Sequence, residues 1–333
     1  MWRRALAIAA VLLATGCDSI TQPAQDKAVT GGPHRLTVAY THQPQSTLIH
    51  VAVAKRYFTE VGLDAQLMQH THGRAALQSV LDGKADVATV AETPVMFSIL
   101  KGDRIFILAN IESSTLNNAI VANMDAGIRT AEDLKGKRIG YTAGSTSEFF
   151  LDAILTSKGL VKADIQPVAL NPDEMLQAMT ARQVDAVSTW NYPLTQIKHR
   201  LGKAGVIFYD RQIYTETFNI AAKQDFINAH PETARRFLRA LLKAEAFVAR
   251  HPDEAQAIVS AAAGVDRALV QEVWDAFNYK VVLDQTLLLT LEDETRWAMR
   301  NKLVEKVDMP DYVTYVYLDG LMAVKPEAVL IRR

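Results

Sequence analysis

Cysteine is nearly absent, because Cys17 is the only one in the 333-residue sequence. No disulfide can therefore form within the chain. An excess of charge of one sign is missing too: the formal net charge is −1, and the two signs are interspersed. The chain thus has no basic run or face of the kind that nucleic acid requires, and nucleic acid is not an expected partner.

A transmembrane anchor is not expected either. The N-terminal apolar run, Ala5 to Leu13, is only about ten residues long, whereas roughly twenty are needed to span a bilayer. Arg3 and Arg4 precede this run and small residues follow it, which is typical of an export signal. Residues 18–34 are polar, contain Pro and Gly and have no apolar period, so we predict a flexible tether there.

The end of the export signal, Ala14-Thr15-Gly16-Cys17, resembles the bacterial lipoprotein lipobox, although Ala14 stands where leucine is usual. The resemblance implies that residues 1–17 are a lipoprotein signal peptide and that Cys17 becomes the lipidated N-terminus. The alternative is cleavage by ordinary signal peptidase, which would release a soluble product.

The signatures of common enzymes are missing as well. Gly144-Ser145-Thr146-Ser147 lacks the glycine pattern of a nucleophile elbow, and the spacing implies no nearby His or Asp. His70 and His72 could offer two imidazoles to a metal, with Glu92 as the third ligand. We favour the alternative that both histidines are polar residues leaving a strand. We therefore predict no enzyme, no cofactor and no metal, and keep a metal-dependent enzyme as a third hypothesis.

From Arg35 onward, short apolar runs alternate with helical patterns of three-four spacing. The runs predict ten strands: Leu36–Tyr40, Leu63–Met68, Val87–Val90, Ile105–Ile111, Ala119–Ala122, Arg138–Tyr141, Pro167–Leu170, Ala186–Trp190, Val206–Tyr209 and Phe218–Ala222. Such alternation predicts an α/β fold with mainly parallel sheets and ligands beyond the carboxyl ends of the strands. The remaining segment reads as helical, and we expect it to return to the first half and cover its sheet.

Two segments of the chain match at an offset of 99 residues. Asp86, Val87 and Pro94 correspond to Asp185, Ala186 and Pro193, and each segment reads as helix, turn, Asp, apolar strand, polar tip and Pro at a helix start. The repeat predicts two similar α/β lobes. Coincidental similarity between two strand–helix–strand units is the alternative.

The stretch from Tyr141 to Glu148 joins a strand to a helix through small hydroxyl residues. Ser145 or Thr146 would cap this helix, with Glu148 as a capping-box partner. Free backbone N–H groups at such a helix start can accept an anion. The alternative is an ordinary capped helix without a ligand.

Two facing lobes leave a cleft at their strand ends, which is the usual place for a small ligand. We predict that lobe one supplies Gln43, Gln45, Ser46, Thr47, His72, Gly73, Arg74, Glu92 and Thr93 to this cleft. Lobe two supplies Ser145, Thr146, Ser147, Trp190, Asn191 and Tyr192.

The run from Asp133 to Gly140, followed by Gly144-Ser145-Thr146 and by Gln183-Val184-Asp185-Ala186 with Trp190 and Pro193, resembles the periplasmic solute-binding proteins of ABC importers. The nearest branch is the sulfonate, taurine, nitrate and thiamine-precursor group. The resemblance implies a two-lobed periplasmic-binding-protein fold of type II, with two crossing segments near Asn118–Asn123 and Glu216–Lys223. Lobe 1 would comprise residues 35–120 and 221–333, and lobe 2 residues 121–220. It also implies a monomer that works with a membrane permease and its cytoplasmic ATPase at the periplasmic face of the cytoplasmic membrane.

The class of solute stays open at this point. Arg74 and the helix start at Ser145 suit an oxyanion such as a sulfonate, or a carboxylate. Trp190 and Tyr192 could cover an aromatic or apolar body. Glu92 would repel an anion and suits an amine, a hydroxyl or an aminopyrimidine, unless it is an outward-facing loop carboxylate. The second hypothesis for the whole chain is an extracytoplasmic ligand sensor that signals to a membrane partner.

Overall fold

The computed structural model describes residue 2, residues 34–305 and residues 308–332. Of these, all but Trp2 belong to one compact unit, Pro33–Arg333. Nearly all of the predicted signal peptide and tether, including Cys17, lies outside the described residues.

The described residues form ten strands, and each overlaps an apolar run that predicted it. The strands are β1 (His34–Thr41), β2 (Leu63–His70), β3 (Val87–Ala91), β4 (Ile105–Ser114), β5 (Asn118–Asn123), β6 (Arg138–Tyr141), β7 (Gln166–Ala169), β8 (Ala186–Trp190), β9 (Gly205–Phe208) and β10 (Glu216–Lys223).

The strands form two five-stranded sheets with orders β2-β1-β3-β10-β4 and β7-β6-β8-β5-β9. We call the part built on the first sheet lobe 1 and the part built on the second sheet lobe 2. In each sheet two pairings are parallel and two are antiparallel, so the sheets are mixed rather than mainly parallel. The antiparallel pairings all involve β10 or β5, the first strand that the chain forms after each crossing between the sheets.

The repeat at an offset of 99 residues corresponds to equivalent strands. β3 and β8 are the central strands of their sheets, and every residue in both is buried. Burial on both faces explains why neither strand contains a charged residue and why neither alternates regularly between apolar and polar residues. The two strand tips therefore lie at matching positions, one in each lobe.

The two predicted crossing segments, Asn118–Asn123 and Glu216–Lys223, are strands β5 and β10 themselves. β5 pairs with β8 and β9 inside the second sheet, and β10 pairs with β3 and β4 inside the first. The chain crosses just before each strand, at residues 115–117 and 209–215. The predicted lobe boundaries, at residues 120 and 220, fall inside these two strands.

Helices flank both sheets. They are α1 (Thr47–Ala54), α2 (Tyr57–Glu60), α3 (Gly73–Leu81), α4 (Glu92–Leu100), α5 (Thr146–Ser157), α6 (Met175–Thr180), α7 (Pro193–Leu201), α8 (Gln224–Ala229), α9 (Pro231–Arg250), α10 (Pro252–Ala263), α11 (Arg267–Trp274), α12 (Gln285–Arg300) and α13 (Leu318–Met322). Short 3-10 turns occupy Pro44–Ser46, Met124–Ala126, Ala131–Leu134, Lys162–Asp164, Gly202–Ala204, Tyr312–Tyr315 and Pro326–Ala328.

The C-terminal helices cover lobe 1, as the sequence predicted, and one of them also contacts lobe 2. α9 packs on α1, β1 and β2 of lobe 1, as expected. α12 also reaches lobe 2, because Trp297 Nε1 donates to Asp152 Oδ2 of α5 at 2.9 Å and the Trp297 ring packs edge-on against Phe149. Trp297 is buried.

Candidate functional site

A cavity of about 40 Å³ lies between the two lobes, where the central strands β3 and β8 end. Lobe 1 lines it with Gln43, Gln45, His72, Gly73, Arg74, Ala91, Pro94, Glu216 and Phe218. Lobe 2 lines it with Thr142, Ser145, Thr146 and Trp190. The volume is far below the roughly 300–1,000 Å³ of ordinary ligand pockets. The lobes are therefore close together in this structure.

Part of the predicted cleft wall does line this cavity. These residues are Gln43, Gln45, His72, Gly73, Arg74, Ser145, Thr146 and Trp190. They come from three loop–helix junctions and one strand tip, so the structure brings together segments that are far apart in sequence. All but His72 and Arg74 are buried.

Ser46 and Ser147, which the sequence placed on the cleft wall, instead tie their loops to the central strands. Ser46 Oγ lies 3.0 Å from Thr89 Oγ1 of β3. Ser147 Oγ donates to Ser188 O of β8 at 2.8 Å, and Ser188 Oγ donates back to Ser147 O at 2.8 Å. Thr47 Oγ1 donates to Pro44 O at 2.6 Å within its own turn. These hydroxyl groups position the cavity wall without reaching the cavity.

The start of α5 is capped as the sequence suggested, but its capacity for an anion is reduced. Ser145 Oγ accepts the Ser147 N–H at 3.2 Å. Glu148 Oε2 accepts the Gly144 N–H at 2.8 Å, and Glu148 Oε1 pairs with Lys162. A carboxylate of the chain itself therefore already occupies the positive end of this helix dipole.

Glu92 is fully buried and does not line the cavity. Its Oε1 accepts the Tyr214 hydroxyl, and its Oε2 accepts the Thr217 N–H at 2.8 Å and the Thr217 hydroxyl at 3.0 Å. Burial, together with repulsion from Glu216, raises the pKa of Glu92 to about 8. Glu92 is thus neither a cleft wall residue nor an exposed loop carboxylate, because three hydrogen bonds from Tyr214 and Thr217 hold it beside the second crossing segment.

Three other predicted wall residues are turned away from the cavity. Thr93 Oγ1 donates to Glu294 of α12. Asn191 Oδ1 accepts the Thr195 hydroxyl at 2.7 Å. Tyr192 packs in an apolar cluster with residues of α10 and α11, which include Val259, Val270 and Val273. Each of them follows the last residue of its strand by one or two positions, and the turn into the next helix places it behind the wall.

Sequence reasoning missed Glu216 and Phe218, which line the cavity from β10. Glu216 Oε2 accepts Asn117 Nδ2 at 2.8 Å and also Asn118 Nδ2, while Gln45 Nε2 lies 3.5 Å from Glu216 Oε1. Burial is the main cause that raises the pKa of Glu216 to about 7. The sequence offered one signal for this pair: Glu216 and Phe218 are two residues apart, and alternate residues of a strand face the same side.

Arg74 lies at the mouth of the cavity, where it joins the two lobes. It is exposed, and its Nη1 donates to Ala143 O of lobe 2 at 3.0 Å. Clefts of about 610 Å³ and about 490 Å³ flank it on the two sides. Arg74 can thus stabilise the closed arrangement of the lobes, and its guanidinium points to the rim rather than to the buried floor.

The two histidines of the metal alternative have protein partners. His70 Nε2 lies 3.2 Å from Ser79 Oγ, and His72 Nδ1 accepts the Ala75 N–H at 3.3 Å as the cap of α3. Within residues 34–305 and 308–332, no group of three or more His, Cys, Asp or Glu side chains is arranged to hold a metal ion. In the same residues, no helix is long and apolar enough to span a membrane.

Comparisons with known proteins agree with this architecture. The family model described as NMT1/THI5 like matches residues 43–255. A putative aliphatic sulfonates-binding protein of Bacillus subtilis is 24% identical over 265 residues, which cover 78% of this chain and 79% of that protein. A putative thiamine biosynthesis protein of Haemophilus influenzae is 27% identical over 224 residues, with coverages of 65% and 69%. The periplasmic aliphatic sulphonate binding protein SsuA from Escherichia coli matches with a TM-score of 0.75 and 18% identity, over 86% of this chain and 99% of its own.

The two five-stranded sheets with a cavity between them define a two-lobed periplasmic-binding-protein fold. Because the family model matches most of the chain, the protein belongs to the NMT1/THI5-like family.

Proposed function

We propose that this chain is the substrate-binding component of an ABC importer, which captures a small organic solute between its lobes and delivers it to a membrane permease. The observation that carries the proposal is the cavity, because Gln45 and Glu216 of lobe 1 and Ser145 and Trp190 of lobe 2 line one space. Cavities at strand ends between two α/β units are where small ligands bind most often. Capture of this kind involves no chemical reaction, so the proposal is a binding protein and not an enzyme.

Hinge closure is the proposed mechanism. A cavity of about 40 Å³ cannot admit an organic solute until the lobes separate. The chain crosses between the sheets only twice in the described residues 34–305 and 308–332, at residues 115–117 and 209–215. Changes of backbone angles there would move one lobe against the other. A solute that contacts both lobes then favours the closed state over the open one.

The relatives suggest a range of solutes for this site. Two of them are named for aliphatic sulfonates and for thiamine biosynthesis. We extend that range to this chain as candidates: a sulfonate-, taurine- or nitrate-like anion, or a pyrimidine that resembles a thiamine precursor.

We also propose that the protein is held at the periplasmic face of the cytoplasmic membrane by a lipid on Cys17, as a monomer that docks on the permease and its ATPase. The support is the lipobox-like sequence that ends in Cys17. Mass spectrometry of the mature N-terminal peptide tests this point. A diacylglyceryl-modified Cys17 is expected, and an unmodified residue at a different N-terminus would contradict it.

The proposal is tested by thermal unfolding of the purified chain against sulfonates, taurine, nitrate, aminopyrimidines and organic amines. A ligand at one hundred times its dissociation constant stabilises the folded state by about 2.7 kcal/mol, which raises the midpoint by several degrees. Trp190→Ala should weaken binding of the stabilising compound at least tenfold, because this ring lines the cavity. Trp274→Ala is the matched control, since Trp274 packs beside Tyr279 away from the cavity. Equal loss of binding in both variants would contradict a site between the lobes.

A further inference from the structure

Four glutamates from four different elements meet where the lobes join. We call them the hinge carboxyl cluster: Glu92 of α4, Glu112 of β4, Glu216 of β10 and Glu294 of α12. Each is at most 1% exposed. Within the described residues 34–305 and 308–332, no Lys, Arg or His forms an ion pair with any of them. Buried carboxyl groups usually have a cationic partner, so this cluster is short of positive charge.

Burial and mutual repulsion oppose the ionisation of the cluster and raise the pKa of its members. Burial is the largest cause of the raised pKa in all four groups, and repulsion from Glu216 adds to it in Glu92, Glu112 and Glu294. Both Glu112 oxygens and Glu294 Oε2 lack a hydrogen-bond partner among the described residues. No side chain among the described residues therefore donates a hydrogen bond to these oxygens.

Only one member of the cluster reaches the cavity between the lobes. Glu216 lines it together with Gln45, and Gln45 Oε1 has no hydrogen-bond partner among the described residues although Gln45 is only 2% exposed. A carboxyl group and a free amide oxygen thus offer acceptors at the buried end of the cavity. The exposed Arg74 at the opposite, outer end is already bonded to Ala143 O.

We propose that the solute carries a protonated amine or amidine, whose N–H groups are donated to Glu216 and Gln45 at the buried end of the cavity. The inference rests on the proposed function and names the class of solute for that same site. Trp190 and Phe218, which also line the cavity, contact the body of the solute. A sulfonate or nitrate in this orientation would lose its hydration and face carboxyl oxygens, which repel an anion.

A consequence is that cation binding is linked to proton release. Glu92, Glu112 and Glu294 face Glu216 from three other elements, and Tyr214 of the second crossing segment adds a neutral hydroxyl. A bound cation stabilises the ionised form of Glu216 and so lowers its pKa from about 7. Affinity should therefore rise with pH from about 6 to about 8, and calorimetry in buffers of different ionisation enthalpy should detect protons released on binding.

The test uses one ring with different head groups, measured by thermal shift and calorimetry on the full chain at millimolar ligand. Benzylamine and benzamidine carry cationic heads, benzyl alcohol a neutral head, and benzoate and benzenesulfonate anionic heads. The inference predicts stabilisation by the cationic members and at least tenfold weaker binding of the others. Binding of the anions alone overturns it but leaves the proposed function standing. Equal binding of all five, or no binding of either cation, also overturns it.

Two variants locate the contact. Glu216→Gln should reduce the affinity for benzamidine at least tenfold and remove its pH dependence, because the ionisable acceptor in the cavity is lost. Glu112→Gln is the control, because Glu112 is equally buried and does not line the cavity. The change replaces a carboxyl group whose pKa is raised by burial with a neutral amide of similar size. A less than threefold change is expected there. Equal losses in both variants, with unchanged circular dichroism, would overturn the assignment of Glu216.

Discussion

The same strand-to-helix turn occurs once in each lobe, and the two copies have different roles. In lobe 1, β3 ends at Ala91 and Glu92 follows, fully buried and bonded to Tyr214 and Thr217. In lobe 2, β8 ends at Trp190, which lines the cavity, and Asn191 follows, bonded to Thr195. The backbone repeat therefore sets where each strand tip lies, and the side chains there decide which tip bonds to the second crossing segment and which lines the cavity.

The scaffold beneath the tips is alike in both lobes. Ser46 joins the first loop of lobe 1 to Thr89 of β3, and Ser147 joins the corresponding loop of lobe 2 to Ser188 of β8. The difference between the lobes is therefore concentrated in the charge at the hinge, where lobe 1 supplies the whole carboxyl cluster.

The largest expected effect is a loss of stability with rising pH that originates in lobe 1. The raised pKa of Glu92 (about 8) and Glu216 (about 7) means that the folded state binds protons which the unfolded state has released. These groups therefore contribute most to the free energy of unfolding below about pH 4.3, the pKa of a glutamate in the unfolded chain. Their contribution is lost as the pH rises through the raised pKa values of the folded state. Burial lowers the pKa of His50 to about 4, which has the opposite sign but acts only below about pH 6.5. Between about pH 6.5 and pH 8 we expect a loss of about 3 kcal/mol.

Urea unfolding at a series of pH values measures this loss. Glu92→Gln should flatten the slope, because an amide cannot release a proton. A stability that is constant or that rises across this range would contradict the protonated cluster.

The next effect compares the two strand tips directly. Glu92→Ala removes the acceptor of the Tyr214 hydroxyl and of the Thr217 N–H, which remain buried, so we expect a loss of about 3 kcal/mol. Asn191→Ala removes the acceptor of the Thr195 hydroxyl and should cost about 1 kcal/mol. Chemical denaturation at about pH 6, where Glu92 is protonated, separates this effect from the titration. Equal losses of stability in the two variants would contradict the larger contribution expected of Glu92.

A third comparison uses one glycine from each lobe. A Cβ on Gly73 would lie 2.9 Å from Val90 Cα, a backbone atom, whereas a Cβ on Gly140 would meet only side-chain ends, Val187 Cγ1 at 2.8 Å and Leu170 Cδ1 at 2.9 Å. Backbone cannot move aside as a side chain can. We expect Gly73→Ala to cost about 2–3 kcal/mol and Gly140→Ala about 1 kcal/mol in thermal unfolding. The reverse order would contradict the close approach of α3 to β3.

The smallest effect on stability concerns the mouth of the cavity. Arg74→Ala removes one exposed hydrogen bond to Ala143 O and should cost less than about 1 kcal/mol. Because this bond joins the lobes, the same change should favour the open arrangement. Small-angle X-ray scattering of the variant should give a larger radius of gyration than the parent chain, and Lys84→Ala, a change at an exposed lysine of lobe 1, should leave it unchanged.

Much of the fold follows from local pattern. The short runs Val87–Ala91 and Ala186–Trp190, which contain no charged residue, are fully buried central strands, and the offset between them predicted the two lobes. The antiparallel direction of β5 and β10 could not be predicted from local pattern, because it depends on how the chain crosses between the sheets. The contact of α12 with Asp152 could not be predicted from the sequence either, because a single hydrogen bond between distant residues leaves no periodic pattern.

The candidate site was partly predictable for the same reason. Loops that start helices carried Gln45, Ser145 and Thr146 to the cavity, because strand ends and helix starts locate a cleft. Glu92 has the residue type expected of a ligand contact, yet its hydrogen bonds to Tyr214 and Thr217 turn it to the hinge. Glu216 escaped notice because it was assigned to a crossing segment, whereas its position in β10 points it into the cavity together with Phe218.

The central claim is that two lobes close over a solute at the cavity between them. Small-angle X-ray scattering of the purified chain, without and with the compound that stabilises it most in thermal unfolding, tests this claim most directly. The account predicts a smaller radius of gyration with the compound, and no such change in Trp190→Ala at the same concentration. A radius that stays the same in the parent chain while the compound is bound would contradict closure around the solute.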